Sequence, residues 1–162
     1  MPDSFHIALT EKLPNLRRFA LSLCKASHLA DDLVQITVER ALVARNSYDP
    51  TSRIEAWLFR ILKNAWIDIT RKQRVRGQEF DIHDAPDLAG QENHKGDDRL
   101  MVANVVDAVE ALPLEQREVL ILICFEELSY AEAAEILDIP KGTVMSRLSR
   151  ARTAIAVKVG IK

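Results

Sequence analysis

Glycine, cysteine and long apolar runs are all scarce in this chain of 162 residues. Only 5 glycines occur, whereas alanine, leucine and long charged side chains are abundant, and this balance favours helices. The longest uninterrupted apolar run, from Val119 to Phe125, is far shorter than the roughly 20 residues that span a bilayer. The N-terminal residues contain no apolar run of signal-peptide length. We therefore expect a cytoplasmic protein without membrane insertion.

Several kinds of chemical site lack the residues that they need. The 2 cysteines, Cys24 and Cys124, fall in apolar helical patterns and are predicted to pack as small hydrophobic side chains. The 4 histidines show no zinc-ligand spacing with cysteine. The sequence also has no glycine-rich phosphate loop and no nucleophile paired with a base. We expect no metal, no cofactor and no enzymatic activity.

Charge is distributed unevenly along the chain, although the net charge is only -2. The segment Arg53–Arg76 is strongly basic, and so is Lys141–Lys158, which contains no acidic residue. Between them, residues 77–98 are acidic and show no sustained apolar periodicity. An acidic, aperiodic stretch between periodic segments predicts a flexible linker.

Apolar residues recur at helical spacing on both sides of this linker, and no strand pattern occurs. We predict an all-α fold with two small helical domains, residues 1–76 and 98–162, joined by a flexible acidic linker at 77–97. A helix is predicted from Leu13 to about Ser27, and another from about Ala30, with Asp31 and Asp32 in its first turn. Residues 100–112 and 114–126 predict two more helices. The most regular pattern, over 54–69, predicts a helix with this buried face: Ile54, Trp57, Leu58, Ile61, Leu62, Ala65, Trp66 and Ile69.

The stretch 128–152 predicts a helix-turn-helix. Ser129 and Glu132 have the spacing of a capping box, and Pro140 separates the two helices. The second helix has an apolar stripe of Val144, Leu148, Ala151 and Ile155, and most of the rest of its surface is polar and basic. Such a helix is suited to a DNA major groove, where Arg, Ser and Thr contact phosphates and base edges. The alternative is a helical hairpin whose basic face is merely solvated.

Four segments occur in this order: ADDLVQ at 30–35, AWLFRILKN at 56–64, ALPLEQRE at 111–118 and the helix-turn-helix at 128–152. Together they resemble the extracytoplasmic-function (ECF) sigma factors, a group of small bacterial transcription initiation factors. The resemblance covers nearly the whole chain and identifies the two domains as sigma domains two and four. It departs from the family pattern at Ile36, and also at Met145 and Ser149, which leave the recognised −35 sequence open.

The resemblance implies three sets of binding residues. Docking on core RNA polymerase is expected for Asp31, Asp32, Leu33, Val34 and Gln35. Contact with the melted −10 promoter element is expected for Ser47, Tyr48, Asp49, Lys63, Asn64, Asp68, Arg71 and Lys72. Contact with the −35 element is expected for Lys141, Thr143, Ser146, Arg147 and Arg150.

The implied function is promoter-specific initiation of transcription, with core RNA polymerase, promoter DNA and an anti-sigma factor as partners. Regulation of stress-response genes is expected for such a protein. One alternative is a helix-turn-helix transcriptional regulator, which leaves the motifs at 30–35 and 54–72 unexplained. Another is a sigma-like decoy that sequesters an anti-sigma protein, against which the retained Arg147, Arg150 and Arg152 argue.

Overall fold

The computed structural model describes residues 3–77 and 97–160. In these two ranges the regular structure is entirely helical, so the prediction of an all-α fold is confirmed. The chain divides into two compact units, and each is described by itself below. The predicted linker lies outside the described residues except at its two ends.

The N-terminal unit contains four α-helices and one short 3-10 turn. These are α1 (Ser4–Glu11), α2 (Leu13–Cys24), α3 (Ser27–Val43), the 3-10 turn Arg45–Ser47, and α4 (Ile54–Val75). Helix α3 packs against both α2 and α4 and so lies at the centre of the unit. Six large side chains from these three helices are fully buried: Leu16, Phe19, Leu33, Leu58, Phe59 and Leu62.

The aromatic pair Phe19 and Phe59 anchors this core. Their ring centroids lie 5.3 Å apart at an interplanar angle of 75°, an edge-to-face arrangement that adds to the apolar burial. Thr37 is also buried, and its hydroxyl donates to the Leu33 carbonyl at 2.8 Å, so the polar group is satisfied within α3.

Helix α1 was not predicted from the sequence, because its apolar pattern is weak. It begins after Asp3, whose carboxylate accepts a 3.0 Å hydrogen bond from the His6 backbone N–H. An Asp followed by polar and apolar residues is an N-cap signal that could have located the helix. The predicted helix from Leu13 is therefore the second of the chain, α2, which begins at Leu13 as predicted but ends at Cys24.

Helix α3 begins at Ser27, earlier than predicted, after an Ala26 that makes no side-chain cap. Asp31 and Asp32 therefore lie beyond its first turn, where the helix dipole would favour them, so the prediction that places them in that turn was wrong. The apolar spacing over residues 33–42 predicts a buried face that includes Leu42, but this side chain is 38% exposed.

The buried face of α4 is rotated relative to the prediction. Phe59 is completely buried, whereas Trp57 and Trp66 are only half-buried. Ile61 and Ile69 are likewise half-buried. Burial follows Ile54, Leu58, Phe59, Leu62 and Ala65, because α3 covers only one side of the wide apolar face.

The described chain from residue 97 to 160 contains four α-helices and a π-helical segment. These are α5 (Asp97–Glu110), α6 (Leu114–Leu120), the π-helical segment Ile121–Phe125, α7 (Tyr130–Leu137) and α8 (Lys141–Val159). Helix α8 packs against α5 and α6. Of its predicted stripe, Val144, Leu148 and Ala151 are buried, whereas Ile155 is only half-buried.

Buried Arg117 of α6 forms hydrogen bonds to the end of α5. Its Nη1 donates to the Leu112 carbonyl at 2.8 Å and to the Glu110 carbonyl at 3.4 Å. Burial lowers the pKa of this guanidinium. Its hydrogen bonds satisfy carbonyl groups at and just after the end of α5, which gives it a structural role.

The helix that follows Pro113 changes to π geometry near its end. The Glu126 N–H bonds to the Ile121 carbonyl at 3.0 Å, five residues back. In this segment Cys124 is exposed, so the prediction that it packs in an apolar stripe was wrong, whereas Cys24 is buried as predicted. Both thiols are free. Among the described helices, none is long and apolar enough to cross a bilayer.

Candidate nucleic-acid and polymerase interfaces

Helices α7 and α8 form the predicted helix-turn-helix, and both ends of α7 are specified locally. The Ser129 N–H donates to the Glu132 carboxylate at 2.9 Å, and the Glu132 N–H donates to the Ser129 hydroxyl at 3.0 Å. These two bonds are the predicted capping box. At the other end of α7, Asp138 adopts a left-handed φ of 55°, and the Ile139 N–H reaches the Ala134 carbonyl at 3.1 Å. This Schellman closure fixes the direction in which α8 leaves the turn.

The predicted −35 residues lie on α8 and around its buried stripe. Lys141, Ser146 and Arg150 are exposed, whereas Thr143 and Arg147 are half-buried. Positions 143, 146, 147 and 150 share one helix face because they recur at steps of three and four. Arg147 Nη2 lies 4.0 Å from a carboxylate oxygen of Glu115 on α6, a long ion pair whose glutamate is largely exposed. Arg150 is the more exposed of the two predicted DNA-binding arginines.

The predicted polymerase-docking segment occupies the first half of α3. Asp31, Asp32 and Gln35 are exposed, Val34 is half-buried and Leu33 is fully buried. Asp31 accepts a 2.9 Å hydrogen bond from Arg17 on α2, and Gln35 donates to Glu39 at 3.5 Å. The segment thus offers an acidic and amide surface, and Leu33 anchors that surface to the core.

The predicted −10 loop begins at the 3-10 turn and has two side chains engaged in its own geometry. Ser47 donates its hydroxyl to the Ala44 carbonyl at 2.7 Å. Asp49 accepts from the Thr51 hydroxyl at 2.7 Å and from the Thr51 N–H at 2.9 Å. These bonds lower the pKa of Asp49 and stabilise the turn.

Tyr48, the middle residue of the loop, belongs to an aromatic cluster with Phe5 and Trp57. Its ring centroid lies 5.1 Å from that of Trp57 and 6.1 Å from that of Phe5, and the Phe5 and Trp57 centroids lie 5.9 Å apart. The Tyr48 hydroxyl donates to the Ser52 carbonyl at 2.9 Å, and partial burial raises the pKa of Tyr48. These contacts therefore hold the Tyr48 ring in one position, so it does not rotate freely.

Helix α1 is held against this loop by charged and aromatic contacts that sequence reasoning missed. The Arg45 guanidinium forms an ion pair with Asp3 and lies 4.9 Å from the centre of the Phe5 ring. The hydrogen bond from Arg45 holds the pKa of the Asp3 carboxyl well below its usual value. In the sequence, the aromatic Phe5 shortly after the N-cap Asp3 could have indicated a packed helix here. It does not indicate which loop the Phe5 ring contacts.

The remaining −10 residues lie along α4. Asn64, Arg71 and Lys72 are exposed, and Lys63 is half-buried. Asp68 is bound by Arg40 of α3 at 3.0 Å. An open cleft of about 430 Å³ is lined here by Arg40, Asp68, Arg71, Lys72, Val75 and Arg76. Its excess of positive charge suits the phosphates of a nucleic-acid strand.

Comparison with known proteins matches both units to one family. Residues 9–76 match Sigma-70 region 2, and residues 103–155 match Sigma-70, region 4. The ECF RNA polymerase sigma factor EcfG of Rhodopseudomonas palustris (strain TIE-1) is 37% identical, over 96% of this chain and 85% of its own. SigM, an ECF RNA polymerase sigma factor of Bacillus subtilis (strain 168), is 38% identical, over 83% of this chain and 82% of its own.

A solved structure resembles the chain over nearly all of its length. It contains the sigma factor RpoE in complex with the anti-sigma factor NepR from Bartonella quintana. RpoE is 34% identical, the TM-score is 0.79, and the match covers 98% of both chains. Two family regions in the expected order, relatives that match over most of their length and a shared fold lead to one conclusion: this chain belongs to the ECF sigma factors of RNA polymerase.

Proposed function

We propose that the protein binds core RNA polymerase and directs it to start transcription at promoters with matching −10 and −35 elements. The observation that carries this proposal is the helix-turn-helix, in which a capping box and a Schellman turn present the exposed polar and basic face of α8. A DNA-binding helix joined to a sigma region 2 unit is the combination that promoter-specific initiation requires. The protein acts through binding and is not an enzyme.

Polymerase docking is assigned to the segment from Asp31 to Gln35. Support comes from its exposed Asp31, Asp32 and Gln35, which offer hydrogen-bond acceptors to a basic or polar partner surface. Leu33 has a different role in this proposal, since a fully buried side chain supports the surface instead of touching the partner. Val34, at the edge of the segment, is half-buried and can add apolar contact.

Recognition of the melted −10 element is assigned to the N-terminal unit. The aromatic surface at Tyr48 can stack with an extruded base, and exposed Asn64 can hydrogen-bond a base edge. Lys63, Arg71 and Lys72 supply positive charge for the strand's phosphates. Ser47 and Asp49 shape the loop through their own hydrogen bonds, and Asp68 restrains Arg40.

Recognition of the −35 element is assigned to α8. Exposed Arg150 and Ser146 can meet base edges or phosphates in the major groove, and Lys141 lies at the start of the helix, near where a phosphate can bind. Thr143 and Arg147 are half-buried and can contact the groove wall. The Glu115 carboxylate, 4.0 Å from Arg147 Nη2 and largely exposed, adds only a weak, solvent-screened attraction.

Control by an anti-sigma protein in the cytoplasm completes the proposal, together with a role at stress-response promoters. The similarity to RpoE, which was solved bound to the anti-sigma factor NepR, supports such a partner. An inhibitor could act by covering the docking segment of α3 and the exposed face of α8.

The test is in vitro run-off transcription with core RNA polymerase and a genomic promoter library. We expect promoter-specific transcripts that appear only when the protein is added. Two substitutions test the assigned binding roles. Asp32→Lys should abolish transcription by weakening polymerase binding, and Arg150→Ala should reduce transcription by weakening promoter binding. Absence of any promoter-specific transcript on all templates would contradict the proposal. If the same protein still bound an anti-sigma factor, that result would favour the decoy.

A further inference from the structure

The DNA-facing surface of α8 has a basic strip and an uncharged strip, which share Ser146. Positions 143, 146, 147 and 150 form the basic strip, which carries both arginines of the −35 assignment. The uncharged strip recurs at the same steps of three and four, and its four exposed residues are Gly142, Met145, Ser146 and Ser149. A helix that enters the major groove brings both strips close to base edges and groove walls.

Met145 places a large apolar side chain in the uncharged strip. It is 50% exposed, and the other exposed large apolar side chain of α8 is Val157, near the far end of the helix. Long side chains of a helix lean towards its N-terminus, over the preceding turn. At Gly142, in that turn, an added Cβ would meet nothing within 4 Å, so the surface beside Met145 is open. A partner that covers this apolar side chain gains free energy by removing it from water.

The major groove offers one apolar substituent to such a side chain, the 5-methyl group of thymine. The other groups that distinguish the bases there are hydrogen-bond donors and acceptors, with which a thioether pairs only weakly. A phosphate is also a poor neighbour for Met145, because its oxygens would lose water without gaining a hydrogen bond. The thymine methyl group is therefore the part of DNA that fits Met145 best.

We propose that Met145 reads one thymine of the −35 element by covering its 5-methyl group, and so adds base specificity to the contacts that the basic strip makes. The inference rests on the proposed sigma function and extends it to a residue at which the chain departs from the family pattern. Thymine and uracil differ only in this methyl group. Discrimination between the two bases at one position of the duplex therefore depends on the side chain at position 145.

The test uses holoenzyme assembled from core polymerase and the full chain, with fluorescein-labelled duplexes of a promoter that the wild-type holoenzyme transcribes. In each duplex one thymine of the −35 element, on either strand, is replaced by uracil. We expect the wild type to bind one of these duplexes about three- to fivefold more weakly, which is the effect of uncovering one methyl group. Met145→Ala should lose a similar factor on the intact duplex, and it should bind the intact duplex and that uracil duplex equally.

Met101→Ala is the matched control, because it removes the same atoms from a methionine that is 65% exposed on α5. Its affinity for every duplex should equal that of the wild type. Met145→Leu should keep the discrimination between thymine and uracil, since leucine also presents an apolar surface. Met145 is exposed and alanine favours helices, so Met145→Ala should fold, and circular dichroism and core-polymerase binding verify that it does.

Two results would overturn the inference while leaving the sigma function intact. One is a wild-type protein that binds every uracil duplex as tightly as the intact duplex, and a −35 element without any A·T pair would count in the same way. The other is a Met145→Ala variant that still distinguishes thymine from uracil, which would assign the methyl group to another side chain. A wild-type protein that yields no promoter-dependent transcript would overturn the sigma function and this inference together.

Discussion

The Arg40 guanidinium of α3 donates a hydrogen bond to the Asp68 carboxylate of α4 over 3.0 Å. The two side chains remain 43% and 46% exposed, so the pair contributes at most about 1 kcal/mol to stability. The position of this ion pair affects the charge of the cleft more than its energy affects stability. Asp68 puts a negative charge in a cleft that Arg71, Lys72 and Arg76 otherwise make basic.

Asp68→Asn should therefore strengthen binding of single-stranded −10 DNA, because it removes a charge that repels phosphate and releases Arg40. The salt dependence should steepen, by about 0.7 in log–log slope if Arg40 gains one phosphate contact. Glu39→Gln makes the same change of charge at an exposed position of α3 that does not line the cleft, and it should alter DNA binding less. Weaker binding by Asp68→Asn would instead indicate that the carboxylate accepts directly from a base.

Arg150→Ala should weaken binding of duplex −35 DNA by about 1–3 kcal/mol if Arg150 reads a base edge, and by less if it holds a phosphate. The fold should survive, since Arg150 lies off the buried stripe of α8. Lys158→Ala removes a positive charge from the last turn of the same helix and should have a smaller effect. Titrations of duplex −35 DNA at several salt concentrations measure the affinity of each variant and its salt dependence. Equal losses of affinity in the two variants would argue against the groove assignment.

Phe59→Ala should destabilise the N-terminal unit by about 3–5 kcal/mol, because the ring is fully buried against Phe19. Trp57→Ala should cost less, although the sequence pattern alone predicts a similar loss, since Trp57 is only half-buried in the aromatic cluster. Urea denaturation followed by circular dichroism gives both values. A Trp57→Ala loss as large as that of Phe59→Ala would contradict this packing.

Asp3→Asn should loosen α1 in a pH-dependent way. The folded-state pKa of Asp3 lies below the ordinary value of 3.8, so the ionised carboxylate contributes stability that is fully present above that pH. As the pH falls below 3.8 the wild type should progressively lose this advantage, and the two proteins should converge. Near-ultraviolet circular dichroism of the aromatic cluster can follow the change. A difference that grows on acidification would have the wrong sign.

Much of the helix-turn-helix could be predicted because its signals are local. Ser129 and Glu132 are three residues apart, and the spacing of Val144, Leu148 and Ala151 defines one helix face whatever packs on it. The ECF motifs are also short stretches of consecutive residues, so they indicate the family without any knowledge of the packing, and both family regions match. The sites that those motifs imply remain predictions that the proposed experiments test.

The sequence by itself determined the helical class, the two-unit organisation and the DNA-binding hairpin, since periodicity, caps and charge act over a few residues. Only the tertiary structure decided which side of α4 is buried, because a wide apolar face does not specify how much of it α3 covers. It alone brought Phe5 and Arg45 beside Tyr48, since contacts between residues about 40 positions apart depend on how helices pack. For the same reason the exposure of Cys124, in a π-helical segment that apolar periodicity does not reveal, was decided by the fold.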